Sequence, residues 1–169
     1  MKQFRTLFIA LALTIGATAF TNAQSKVAHV ATQELVETMP AYKDAMSQLE
    51  KLEKTYDAEI KDMLTEAQNT MQRYQSEAET VTEEENAKRA SELQATERRI
   101  QEHSQRARQE LQKKENDLIR PVIERARQAI QKVAREQGFD YVLDSTTGTG
   151  VILADGKDLM ADVKAELGM

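Results

Sequence analysis

The sequence predicts an α+β chain that is predominantly α, a long antiparallel helical hairpin carried on a small β-containing body. Three observations predict it. The 169 residues are 30% charged and only 5% aromatic, with no Cys or Trp and just two Pro and six Gly. Such a chain is rich in helix formers and poor in the large side chains of a compact core. Apolar residues recur at helical spacing from Ala41 onwards for close to a hundred residues. Short β-branched runs occur only near the two ends of the segment that follows the N-terminal apolar stretch.

That N-terminal stretch is set apart first. "MKQFR" is basic, "TLFIALALTIGATAF" is apolar, and Thr21 and Ala23 supply small residues for cleavage. The pattern is that of a secretory signal peptide over residues 1–23, and it is short of the roughly 20 apolar residues of a membrane span. No Cys follows it, so no lipid is expected there. Cleavage would remove Lys2 and Arg5 and take the net charge from −5 to −7. An acidic chain without Cys fits an oxidising compartment without needing disulfides, and it argues against nucleic acid as a partner.

"KVAHV" alternates as a strand does, and "TQELVETMP" follows with Thr32 expected as a helix N-cap. Pro40 suits the first turn of a second, longer helix. Along it Leu49, Leu52, Tyr56, Ile60, Met63, Ala67, Met71, Tyr74 and Ala78 repeat as 3, 4, 4. That is an eleven-residue period, which runs nearly straight or slightly right-handed. A second, thinner stripe comprises Ala90, Leu93, Ile100, Ala107, Leu111, Leu118, Val122, Ala126, Ile130 and Val133, with Pro121 inside it and Gly138 beyond its end.

Between the stripes lies "AETVTEEENAKR". One uninterrupted helix would be about 145 Å long and would need a partner throughout. Thr82 with Glu85 instead forms the pattern of a capping box, and three glutamates suit the positive end of a new helix. The chain is therefore expected to turn near residues 80–82. Residues whose numbers add to about 163 then face each other, so that Leu52 meets Leu111, Tyr56 meets Ala107 and Met63 meets Ile100. The domain plan is a helical arm over residues 41–138 and an oligomerisation body formed from residues 24–40 and 139–169.

In the body, "FDYVLD" and "GVILAD" flank the turn residues "STTGTG" and read as a β-hairpin, followed by a short helix carrying Leu159, Val163 and Leu167. Val27, Val30, Tyr141, Leu143, Ile152, Leu153, Leu159 and Val163 are too few for an independent core. Exposed sheet edges favour pairing with further copies, so a homo-oligomer is expected.

Nothing in the pattern carries catalysis, and no enzyme activity, cofactor or metal is expected. His29 and His103 have no partner close in sequence, and "GTG" at residues 148–150 lacks the lysine of a phosphate loop. Met39, Met46, Met63 and Met71 offer adaptable apolar contacts.

The order of signal peptide, strand, long helical hairpin, β-hairpin and short helix resembles the Skp/OmpH family of periplasmic chaperones. The resemblance is most specific in "GFDYVLD" and "GVILADGKDLMADVKAEL", with "KVAHVATQELVETMP" matching the opening. It implies a homotrimer whose strands build a small barrel between subunits. It also implies an ATP-independent holdase that keeps unfolded outer-membrane proteins between helical arms in the periplasm. An envelope coiled-coil adaptor binding one folded partner is the alternative. The family's known members are basic with positive arm tips. Here residues 57–92 carry ten acidic and four basic side chains, and residues 97–136 seven acidic and eleven basic. An acidic tip argues against direct membrane binding, and client contacts are expected to be spread along the arm's inner wall.

Overall fold

The computed structural model describes residues 25–169; the expected signal peptide lies outside the described residues. In chain order the elements are β1 (Val27–Val30), α1 (Thr32–Thr38), α2 (Pro40–Glu77), α3 (Glu83–Glu136), β2 (Tyr141–Asp144), β3 (Lys157–Asp158) and α4 (Met160–Leu167). Two compact units result, one of residues 25–32 with Ala129–Gly168 and the other of Gln33–Gln128.

The first unit holds a three-stranded sheet in the order β2-β1-β3. Both outer strands run parallel to β1, pairing Val27 with Tyr141, Val30 with Asp144, and His29 with Asp158. This corrects the expected β-hairpin. Residues 150–155 form no strand, and only Lys157–Asp158 pairs on that side. The reason is directional: two strands parallel to a common neighbour are parallel to each other, so a tight turn cannot join them. The twelve residues 145–156 must carry the chain back to the starting end of the sheet, and "GVILAD" is spent on that return.

Alternation along β1 sends Ala28 and Val30 to one face, where both are buried. The same unit buries Ala129, Val133 and Ala134 of α3, with Leu159 and Val163 at the start and middle of the α4 segment. Lys132 reaches Glu166 at 2.6 Å and Gln137 donates to Asp162 at 2.9 Å, fixing the end of α3 beside α4. The end of α3 is closed by Gly138 at φ 71, with the Phe139 N–H donated to the Ala134 carbonyl and the Gly138 N–H to Arg135. These are the two bonds of a Schellman cap, and the left-handed φ is why glycine stands there.

Thr32 is not the N-cap that its sequence context suggests. It opens α1, donating its backbone N–H to Asp144 Oδ1 at 3.2 Å and its hydroxyl to Oδ2. A carboxylate 112 residues away in sequence thus supplies the negative charge at this helix start.

The second unit is the hairpin. α2 begins with Pro40 after Met39, as a helix tolerates proline where no amide partner is needed. It spans 38 residues, about 57 Å at 1.5 Å per residue. The chain then turns through residues 78–82 and returns in α3, which passes through Pro121 without interruption. Cross-hairpin contacts follow the expected register closely: Glu59 meets His103, Tyr74 meets Arg89, and Asn86 bonds the Ala78 carbonyl.

The seam period is corrected. The more protected positions on α2 are Tyr42, Ala45, Leu49, Leu52 and Tyr56, then Ile60, Met63, Ala67, Thr70 and Tyr74. This alternates 3 and 4, a heptad pattern, with one extra four-residue step from Tyr56 to Ile60. On α3 the sequence Asn86, Arg89, Leu93, Thr96, Ile100, His103, Ala107 and Leu111 does the same, with its extra step after Ala107. Such an insertion is a stutter that locally unwinds a coiled coil. Met71 consequently leaves the seam at 42% exposure and Thr70 takes its place, because three residues beyond Ala67 is where the helix turns inward. Ala90 is likewise exposed, and Arg89 occupies the stripe.

Asp144 generates a pH prediction. Burial by itself raises its pKa, but hydrogen bonds from Thr146 and Thr32 together outweigh it and lower the value from 3.8 to about 2. A folded value below the unfolded one means stability that is complete above pH 4 or so and lost as pH falls through about 2. Allowing for partial solvent access, the contribution is about 1–2 kcal/mol. Asp144→Asn should be less stable by that amount at pH 7 in urea denaturation. Between pH 4 and 2 it should lose less further stability than wild type, and an unchanged acid limb would place the dependence elsewhere.

Candidate functional site

Three surfaces are built by these elements: the hairpin seam with its turn, the open face of the sheet, and a groove on the hairpin beside α2.

Along the seam, burial is shallow. Ile100 and Ala107 are buried, whereas Leu49, Leu52, Tyr56, Ile60, Met63, Tyr74, Leu93 and Leu111 remain part-exposed. Polar residues interrupt it. His103 lies with Nε2 3.0 Å from Glu59 and its ring edge-on to Tyr56 at 6.3 Å, close to the level of both stutters. Glu59 is 44 residues from His103 in sequence, so no local pattern could have paired them.

The turn is held by a clasp that the sequence reading did not find. The Arg89 guanidinium stacks over the Tyr74 ring at 4.6 Å and bonds Glu77 at 2.9 Å and Glu85 at 3.4 Å. Its side chain is only 14% exposed. Tyr74 in turn donates its hydroxyl to Glu92 at 2.8 Å. Thr82 accepts the Glu85 amide at 3.2 Å, one half of the expected capping box, while the Glu85 carboxylate turns to Arg89. Asn86 donates to the Ala78 carbonyl at 2.9 Å, satisfying an acceptor left by the end of α2. The clasp's only sequence signal is an aromatic residue and an arginine, Tyr74 and Arg89, whose numbers add to the fold-back value of 163.

On the sheet, the residues expected in the body divide. Val30, Leu159 and Val163 are buried within one chain. Val27 and Tyr141 pair on the opposite face and are 45% and 60% exposed, and Leu143 beside His29 is 47% exposed. Ile152 and Leu153 in the return segment are 100% and 75% exposed. His29, on this face, accepts or donates at Nδ1 with the Ser145 hydroxyl at 3.1 Å.

The groove, of about 740 Å³, lies between α2 and the Leu111–Glu115 stretch of α3. Its floor includes Tyr42, Met46 and Leu49. It is open because residues 112–117 of α3 are all exposed and send nothing into the seam. Among the described residues no helix is long and apolar enough to cross a membrane.

A helical hairpin inserted in chain order between two strands of a small parallel sheet, which leaves one apolar face open, defines the class of fold. The family model of the outer membrane protein, OmpH-like, matches residues 26–167. The chain belongs to this OmpH-like family. Among its relatives is the chaperone protein Skp of Pectobacterium atrosepticum, 26% identical over 153 residues, covering 90% of this chain and 92% of that one. The chaperone protein Skp of Photorhabdus laumondii is 28% identical over 137 residues, 81% of each chain. Among solved structures, an OmpH-like outer membrane chaperone from Caulobacter crescentus CB15 shares the fold at a TM-score of 0.75. It is 22% identical over 86% of this chain and 85% of that one.

The clasp carries a prediction about the turn. Arg89→Met keeps an apolar stem but removes the stacking charge and both ion pairs, and should cost about 1–2 kcal/mol. In a double-mutant cycle with Tyr74→Leu the two positions should couple by at least about 0.5 kcal/mol. Additive losses would show that Arg89 and Tyr74 act separately.

Proposed function

We propose that this chain is an ATP-independent periplasmic holdase that shields unfolded outer-membrane proteins, acting through surfaces formed between copies of itself. Family membership across residues 26–167, with relatives that are named chaperones, supports the chaperone part. The observation that carries the oligomer is the sheet. Parallel sheets are ordinarily covered on both faces, and this one leaves Val27, Tyr141 and Leu143 open, with Ile152 and Leu153 beside them in the chain's return segment. A homotrimer closing these strands into a shared barrel would remove the exposed face and the free edges together. The residues so assigned are Val27, Tyr141, Leu143, Ile152 and Leu153 for the subunit contact. Val30, Leu159 and Val163 form the support behind it.

The arm supplies long, wettable walls with scattered apolar side chains. An unfolded chain held by many weak contacts needs no enclosed pocket and no catalytic group, so the reading involves no enzyme activity. Holding requires only that clients bind the wall better than one another.

Two measurements test this. Light scattering of an unfolded outer-membrane β-barrel protein diluted from urea should fall to near baseline at about one trimer per client. No suppression, with tight binding to one folded envelope protein, would favour the adaptor reading instead.

The second concerns assembly. Native mass spectrometry should give three chains per particle. Leu143→Asp with Ile152→Asp should shift the particle to single chains while leaving the helical circular dichroism of the arm largely intact. An unchanged mass for that variant would remove these residues from the contact.

A further inference from the structure

We infer that the groove beside α2 is a docking site for lysine- or arginine-bearing apolar segments of unfolded polypeptide. The inference rests on the chaperone reading and specifies one class of client segment within it. It does not concern the basic stretch of α3.

The chemistry follows from the lining. Met46 is 44% exposed, an apolar side chain in water with three rotatable bonds and a polarisable sulfur, suited to varied partners. Tyr42 and Leu49 continue that floor, and Leu111 closes it from α3. The rim carries four carboxylates, Glu37, Glu50, Glu53 and Glu115, against the single ammonium of Lys43. Glu50 is matched by Lys54 at 2.6 Å and Glu37 accepts from Gln33 at 2.8 Å, so the rim is already ordered in part. The excess remains negative when neighbours are included. Residues 33–57 hold six acidic and three basic side chains, and residues 108–118 hold three of each.

A carboxylate rim above an apolar floor fits one kind of side chain best. Lysine and arginine lay an aliphatic stem along apolar surface while the charged head reaches a polar edge. The rim carboxylates are exposed, so their attraction for a cationic head is screened by salt. A volume of about 740 Å³ takes several side chains, and its open sides let a chain enter and leave along its length. An acidic segment would meet the same floor beneath a rim of like net charge. The groove therefore selects by sign, on a surface where aliphatic contact is common to both.

The test uses the intact assembled chain and two fluorescein-labelled twelve-residue peptides, one alternating lysine with leucine and the other glutamate with leucine. Fluorescence anisotropy should show the lysine peptide binding at least tenfold tighter, with the difference shrinking as salt rises. Glu37→Lys, Glu53→Lys and Glu115→Lys together should abolish that preference. Glu79→Lys, Glu83→Lys and Glu84→Lys at the turn, an equal change in net charge that leaves the Glu85–Arg89 pair in place, should leave it. Equal binding of the two peptides overturns the inference, as does equal loss in both triple variants. An unlabelled peptide of residues 148–156 serves as competitor. If it displaces the lysine peptide and the groove variant also changes particle mass, the groove is a subunit contact and the inference fails. Failure here with suppression of β-barrel protein aggregation intact overturns the groove alone. Absence of suppression in the wild-type chain overturns the chaperone reading on which it rests.

Discussion

Everything in this chain depends on β1 lying between two strands that both run parallel to it. A parallel neighbour cannot be reached by a tight turn, so the chain must travel from the far end of each strand back to the near end of the next. It does so twice. The first return is the helical hairpin itself, the whole of α1, α2 and α3 between β1 and β2. The second is the extended segment from Ser145 to Gly156. The arm is thus, topologically, an overgrown crossover. The strand ends of the sheet are tied by side chains: Asp140 accepts from the Lys26 amide, and Asp144 accepts from Thr32.

The same constraint explains why the sheet looks unfinished. Four-residue strands cannot fill both faces, and the helical residues available in that unit cover only one. The apolar side chains of the second face sit on strand positions that alternation would otherwise make polar. Val27, Tyr141 and Leu143 are the residues left open in this way, while the fully exposed Ile152 lies outside the strands, in the return segment.

The hairpin solves a different problem. A seam made mostly of part-exposed side chains, with His103, Thr70 and Thr96 among them, buries little area per turn. It is held at its turn by the stacked Arg89 and Tyr74 and relaxed near mid-length by a stutter on each helix. No single layer dominates the stability of an arm of this kind. Charge is distributed with equal economy: acidic at the turn, basic along much of α3, acidic again around the groove on α2.

Helices were legible in the sequence because their information is local. Pro40 at a first turn, Thr82 before three glutamates, and Gly138 after the last periodic residue mark ends by chemistry that reaches only one turn. The fold-back register was legible too, since two stripes meeting at a turn leave one free parameter. What only tertiary structure decided was pairing at a distance. The closeness of "FDYVLD" and "GVILAD" in sequence suggests a hairpin, yet β2 pairs with β1 and not with its nearer neighbour. Thr70 displaced Met71 because helix geometry, not hydrophobicity, chooses which side chain faces inward. Arg89, Asp144 and the groove have no local signature, because each draws its meaning from residues that only folding brings near. The sequence by itself determined where the two long helices begin and end; the tertiary structure decided how the first short helix is capped, which strands meet, which polar groups are spent holding the chain, and which apolar faces remain open.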